Sequence, residues 1–277
     1  MNGSILDRLA VCSWSLRPAD PEELIKQMKE IGLSRVQLAL DPLREKPGVW
    51  GAFPEQAAKA GLQIVSGMFG CVGEDYSTME TIRRTGGIVP DATWEQNWRN
   101  IQQTAELARK MKLRFISFHA GFLPHDPQDP DSAKLAQRIR QIADLFAAQN
   151  VDLGLETGQE TADTLRGFLE KLQRPNVGVN FDPANMILYD KGNPIVALRI
   201  LKPWLKQVHI KDGRKTKTPG TWGEEVVAGT GEVPWREFFQ VLKEADFQGD
   251  CPIEREAGAQ RVQEIRADRD FIQSLKV

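Results

Sequence analysis

Short apolar runs alternate with longer segments of helical period from one end of the chain to the other. The runs are RLAVCSW (8–14), RVQLAL (35–40), LQIVSGMF (62–69), RFISFHA (114–120), VDLGLE (151–156), VGVNFD (177–182), KQVHI (206–210) and CPIERE (251–256), eight in all. Between them lie helical patterns. Residues 20–32 open with Asp20 at an N-cap position, Pro21 at the first helical position and two glutamates in the first turn. Residues 93–111 space Trp94, Trp98, Ile101, Ala105 and Ala108 along one face, 132–150 repeat the pattern, and 233–249 carry Pro234 near their start. Eight strand–helix alternations in this length predict the α/β class and a single (β/α)8 TIM barrel spanning residues 1–277. A doubly wound open sheet is the competing architecture, but no GxGxxG follows the first strand. No linker, low-complexity tract or composition shift marks a domain boundary.

Two connections, from about Gly70 to Asp91 and from Lys211 to Val233, are longer than helix packing requires. In a barrel such loops lie at the C-terminal mouth, where sites are built, although a plain surface excursion is the bland alternative. The last four strands end in Glu156, Asp182, His209 and Glu254, one polar group per strand. A single strand-end carboxylate is ordinarily a helix cap or salt-bridge partner, and a lone histidine is more often structural. Four metal-competent residues on four successive strands are a stronger signal than any member. Two Glu, one Asp and one His suit one divalent metal ion: Mn2+, Co2+, Mg2+ or Zn2+.

Composition removes several function classes. Lysine plus arginine is 36 against 38 for aspartate plus glutamate, a formal net charge of −2 over 277 residues, which is not the footprint of a nucleic-acid binder. Cys12, Cys71 and Cys251 are scattered and form no CxxC, arguing for a reducing compartment and against a disulfide frame. The first residues lack a basic head with an apolar core, and no apolar run reaches spanning length. The expectation is a cytoplasmic protein with a small-molecule partner, no nucleic acid and no membrane; a homo-oligomer is left open.

The stretches LGLETG (153–158), VGVNFDPANM (177–186), VHIKD (208–212), GTGEVPW (229–235) and PIEREAG (252–258) carry a resemblance. In order and spacing they resemble the sugar isomerase/epimerase branch of the xylose-isomerase-like (AP endonuclease family 2) TIM barrels. That superfamily also holds zinc apurinic-site endonucleases, inosose dehydratases and ketose 3-epimerases. The resemblance implies Glu156, Asp182, His209 and Glu254 as metal ligands, the same four that the strand ends select. It also implies that Glu156 and Glu254 act as catalytic acid and base on opposite faces of a bound sugar. The chain departs from the ketose 3-epimerase pattern at Asn185, where those enzymes carry a histidine. Asparagine can bind a sugar hydroxyl but cannot shuttle protons. With only His119, His125 and His209, and a slightly acidic balance, the trinuclear DNA-repair chemistry has no support.

Around the quartet the sequence offers further substrate-binding candidates. His119 ends the fourth strand; Lys211 shares a strand face with His209; Arg214 and Trp222 lie in the long seventh loop; Trp14 ends the first strand. His125 reads as solvated, Glu256 as a structural ion-pair partner, Asp212 as the partner of Lys211 or Arg214, and Gly229 and Gly231 as turn residues. The leading expectation is a metal-dependent isomerase or epimerase acting on a carbohydrate through an enediolate. The alternative is a metal-dependent lyase or dehydratase acting on inososes or 3-keto-glycosides. A non-catalytic sugar-binding barrel is the third reading, and the complete ligand set argues against it.

Overall fold

The eight apolar runs become eight parallel strands. The structure, a computed structural model, describes residues 4–124, 126 and 129–276. The barrel strands are β1 (Leu9–Cys12), β2 (Arg35–Ala39), β3 (Gln63–Met68), β4 (Phe115–Phe118), β5 (Asp152–Glu156), β6 (Val177–Phe181), β7 (Leu205–Val208) and β10 (Cys251–Ile253). Neighbours in sequence are neighbours in the sheet, and β10 pairs with β1 through Leu9 opposite Cys251. The remaining seam, between β7 and β10, closes through the Ile210–Ile253 bridge and the bonds Ile210 N to Pro252 O (2.8 Å) and Glu254 N to Ile210 O (3.0 Å). The result is a nearly closed eight-stranded barrel ringed by helices, as expected.

The helices begin and end where local chemistry dictates. Asp20 accepts from the Glu23 amide (2.9 Å), Pro21 opens the helix Pro21–Ile31, and Gly32 terminates it at φ 76°. The other three predicted helices run Asp91–Met111, Pro130–Ala147 and Trp235–Glu244. The last two stop short of the residues expected. Asn150 and Asp246 take left-handed backbone at φ 56° and 48°, which no helix continues through. His125 lies outside the described residues. Neither long connection is featureless: the first contains the helix Met79–Thr85, the second an antiparallel hairpin of β8 (Asp212–Arg214) and β9 (Glu224–Val226).

Strand alternation splits the barrel into two environments. Val36, Leu38, Ile116, Phe118, Leu153, Leu155, Val179 and Phe181 belong to the apolar shell shared with the helices. Their alternates meet inside the barrel, and many are polar. Gln37 Nε2 donates to Ser117 Oγ (2.9 Å), Ser66 Oγ to Gln207 Oε1 (2.7 Å), and the Gln207 and Asn180 amides bond at 3.2 Å. Below this layer Gly154 leaves room for the Phe115 ring; a Cβ there would lie 2.3 Å from Phe115 Cζ. Side chains therefore fill this part of the barrel, and a wide cavity opens at its C-terminal mouth.

The C-terminal helix Arg261–Ser274 holds the seventh-strand loop from behind: Asp268 Oδ1 accepts from the Ala228 amide at 2.6 Å. Burial pushes the Asp268 carboxyl up to about 7, against the pull of that amide. A carboxyl raised on folding contributes stability at low pH that is lost as pH rises towards its folded value. Asp268→Asn keeps an acceptor for Ala228 without the buried charge. The variant should thus gain on the native protein in urea melts as pH rises from 4.5 to 8. A constant difference across that range would refute the assignment.

Candidate metal centre

Glu156 is the last residue of β5, while Asp182, His209 and Glu254 immediately or closely follow β6, β7 and β10. All four are buried, and one donor atom from each lies within 4.8 Å of the other three. Asp182 performs both roles open to a strand-end carboxylate. Its Oδ1 caps the helix Pro183–Leu188 by accepting from Asn185 N (3.0 Å), and its Oδ2 is left over, aimed at the cluster. Asp182 Oδ2, Glu156 Oε2 and His209 Nδ1 are all buried without a hydrogen-bond partner. Such atoms are rare and ask for an occupant. Three ionised carboxylates at this spacing repel by about 4 kcal/mol per pair at an effective dielectric of ~20, so the cluster demands positive charge. A divalent cation fits the donor set: three carboxylates and one imidazole suit the four ions named above.

The barrel interior fixes which histidine nitrogen is offered. His209 Nε2 lies 2.9 Å from Gln37 Oε1, whose own amide nitrogen is committed to Ser117. Asn180 Nδ2 stands 3.0 Å from the same nitrogen, so Nε2 is held between two side-chain amides while Nδ1 faces the carboxylates of Glu156 (3.3 Å), Glu254 (3.4 Å) and Asp182 (3.9 Å). Burial opposes charge on this ring, but Cys12 and the glutamates outweigh it and raise its proton affinity well above the usual range. Gln37 thus orients a ligand from behind. Gln37→Leu should weaken metal binding by about 10–100-fold, measured by competition with a chelating dye; unchanged affinity would remove Gln37 from the centre.

Glu254 is held from both sides. Its Oε1 accepts from Trp14 Nε1 (2.7 Å) and its Oε2 from Lys211 Nζ (2.9 Å). Burial alone would raise this carboxyl, but Lys211 and His209 prevail and hold it well below the usual range. Burial would lower Lys211 in turn, yet Glu254, Glu256 and Asp182 keep it firmly protonated. Both shifts describe one ion pair. Burial likewise raises Asp182, to about 7, with Lys211 opposing. On the far side, His119 Nε2 stands 3.4 Å from Glu156 Oε2. Burial disfavours the charged ring, and Glu156 and Glu74 overcome it, raising its pKa.

Through Glu254 the cluster adjoins a cavity of about 650 Å3 whose lining also includes Trp14, His119, Asn185, Lys211 and Trp222. Asn185 Nδ2 also donates to Glu156 Oε1 at 3.3 Å, and Trp222 stands edge-on to Tyr189 with ring centres 4.8 Å apart. Arg214 is the exception. It does not line the cavity; its guanidinium turns away to Thr230 O (2.6 Å) and Glu224 (3.3 Å), because β8 sends it to the outer side of the hairpin. Asp212 pairs with neither Lys211 nor Arg214, but collects backbone amides of its own loop. Glu256 is an ion-pair partner, of Lys211 at 2.9 Å. Sequence reasoning passed over Gln37, which stood out as a lone polar residue inside RVQLAL. Glu74, Tyr76, Tyr189 and Glu225 also line the cavity; the first two sit in a loop whose length was the only signal.

With this geometry in view, the matches to known proteins fall into place. The model of the xylose isomerase-like TIM barrel family matches residues 15–275. The chain belongs to that family. Among family relatives, the 3-dehydroshikimate dehydratase of Bacillus anthracis is 27% identical over 183 residues, which span 64% of this chain and 65% of that enzyme's length. The crystal structure of a xylose isomerase domain protein from Planctomyces limnophilus superposes with a TM-score of 0.86 at 29% identity, covering 97% of this chain and 96% of that one. D-psicose 3-epimerase of Clostridium cellulolyticum H10, solved with D-tagatose, gives a TM-score of 0.72 at 17% identity over 97% and 99% of the two chains, a likeness of fold. A dehydratase is thus among the chain's sequence relatives, and epimerases share its fold. Among the described residues, no helix is long and apolar enough to cross a membrane.

Proposed function

We propose that the protein is a metal-dependent isomerase or epimerase of a small carbohydrate, with Glu156, Asp182, His209 and Glu254 as ligands and the two glutamates as proton carriers. The observation that carries this reading is the cluster of four buried side chains, one per strand, with a donor atom from each within 4.8 Å of the others, three of the four carrying a buried atom without a hydrogen-bond partner. When bound, a divalent cation would supply Lewis acidity to a substrate carbonyl and its neighbouring hydroxyl, acidifying the C–H between them. Glu156 Oε2 has no competing hydrogen bond and is the proton acceptor; His119, 3.4 Å away, steadies it on the cavity side. Glu254, kept ionised by Trp14 and Lys211, faces the substrate from the other wall. Lys211, a buried ammonium lining the cavity, holds its proton firmly and offers it as a hydrogen bond to a developing or departing oxygen. Trp14 and Trp222 offer faces for a sugar ring, and Asn185 an amide for a hydroxyl.

That ammonium also supports a second reading, in which the same deprotonation expels a β-hydroxyl or a glycosidic oxygen. The dehydratase relative favours this lyase outcome, and ring stereochemistry alone would decide between the two. The test is metal analysis of the purified protein, then a panel of ketoses, inososes and 3-keto-glycosides in D2O followed by NMR. Deuterium at the carbon beside the carbonyl without loss of a substituent identifies an isomerase or epimerase. An unsaturated product or released aglycone identifies a lyase. No exchange by metal-loaded protein on any class would leave only a binding role and overturn the proposal.

A further inference from the structure

In TIM barrels, phosphate is commonly held by loops after the seventh and eighth strands together with a helix N-terminus. Here the loop after β7 runs into the helix Trp235–Glu244, and its amides do converge to form a cup. The cup is filled by the chain itself. The buried Asp212 carboxylate accepts from Gly213 N (2.8 Å), Gly229 N (2.8 Å), Val233 N (3.1 Å), Gly231 N (3.2 Å) and Trp235 Nε1 (3.0 Å). Gly231 is needed for this seat, since a Cβ there would come within 2.1 Å of Asp212 Oδ1. The donors that would bind a substrate phosphate are therefore already satisfied by an internal anion.

The cavity offers no replacement. Lys211 and His119 are the basic residues in its described lining, against Asp41, Glu74, Glu225, Glu254 and Glu256. Lys211 is enclosed by carboxylates of Glu254 and Glu256 at 2.9 Å, Asp182 at 3.7 Å and Glu225 at 3.9 Å. Arg255 lies behind the wall, paired with Glu225 (2.6 Å) and Glu264 (3.0 Å), and Arg214 points away. Beyond the cation site itself, an incoming phosphate or carboxylate would meet more negative charge than positive in the described lining and no uncommitted guanidinium.

We infer that the site takes an uncharged polyhydroxylated carbonyl compound, with neither a phosphate nor a carboxylate on the substrate. The inference rests on the carbohydrate reading above and narrows it. The acidic lining then has a use: carboxylates of Glu225 and Glu256 accept hydrogen bonds from sugar hydroxyls, while Trp14 and Trp222 cover the apolar ring faces.

Two measurements test it, the first independent of metal. Metal-stripped native protein is melted in low-millimolar inorganic phosphate, too dilute for general salt stabilisation, and in chloride at matched ionic strength. The melting temperature should be the same in both; a rise of several degrees in phosphate means the cup is open and overturns the inference. In the second, Mn2+-loaded protein is titrated calorimetrically with matched pairs, D-fructose against D-fructose 6-phosphate and D-ribulose against D-ribulose 5-phosphate. At least one neutral sugar should bind, tenfold or more tightly than its ester. An ester binding equally or more tightly, or no neutral sugar binding to metal-loaded protein, overturns the inference. Metal content is read on the same sample. A protein that takes up no Mn2+ yet ignores phosphate would sink the metal centre while leaving the closed cup standing.

Discussion

Asp182→Asn should abolish stoichiometric metal binding while leaving the barrel folded. The two oxygens of Asp182 separate its roles. Oδ1 caps the helix Pro183–Leu188 through the Asn185 amide, and Oδ2 is buried, unpartnered and directed at the cluster. Asparagine keeps the capping oxygen and removes the charge, whereas Asp182→Ala loses both, adding about 1 kcal/mol for the lost cap. Metal affinity should fall by at least ~100-fold in both variants, beyond what loss of a supporting residue such as Gln37 produces. His209→Ala should do the same, with an added stability loss because Gln37 Oε1 keeps only the weak Cys12 thiol donor (3.5 Å). Metal at a hundredfold excess over Kd stabilises the native chain by ~2.7 kcal/mol, so saturating Mn2+ should raise its melting temperature and leave the variants' unchanged. Native metal content in Asp182→Asn and His209→Ala alike would end the four-ligand assignment.

The parts of this molecule that were legible in the sequence are those governed by local pattern. Strand period 2, helix period 3.6 and the capping of residues 20–32 are short-range signals, and they were enough to give eight strands, the barrel and the four strand-end side chains that the fold brings together. Side chains that act across the barrel were not legible. Gln37 lies 172 positions before His209 in the chain, yet their contact decides which ring nitrogen faces the cluster. Nothing near either residue announces the pairing; only closure of the sheet creates it. Arg214 shows the opposite error. Its place in the long loop after the seventh strand suggested a substrate contact at the mouth. The chain instead leaves the barrel after Ile210 and starts a hairpin, and that hairpin carries the guanidinium outward. Asp212 was misread for the same reason: its five donors come from a loop that folds back over it, a geometry that no spacing rule contains.

The second large effect separates the two glutamates. Glu156→Gln and Glu254→Gln should each lower turnover by ~10²–10⁴-fold, the usual worth of a positioned acid or base, yet their stabilities should move in opposite directions. At 156 the added amide has a place to go. Oε1 already accepts from Asn185 and Oε2 has no hydrogen-bond partner, so glutamine fits, and relief of repulsion among three buried carboxylates offsets the lost attraction to His119 (3.4 Å) and His209 (3.3 Å). Metal-stripped Glu156→Gln should therefore melt at or above the native temperature. At 254 both oxygens are already acceptors, one for the Trp14 indole and one for the Lys211 ammonium. A glutamine must turn its own N–H towards one of those donors, leaving Lys211 to rely on Glu256 and Asp182. Breaking a buried pair in this way costs ~3–5 kcal/mol, so metal-stripped Glu254→Gln should melt well below the native protein. Exchange of the substrate C–H in D2O should stop in Glu156→Gln, the variant lacking the proposed proton acceptor. If that variant still exchanges at the native rate and Glu254→Gln does not, the acceptor is Glu254 and the roles of the two walls are reversed. If both keep near-native turnover, neither glutamate carries the proton.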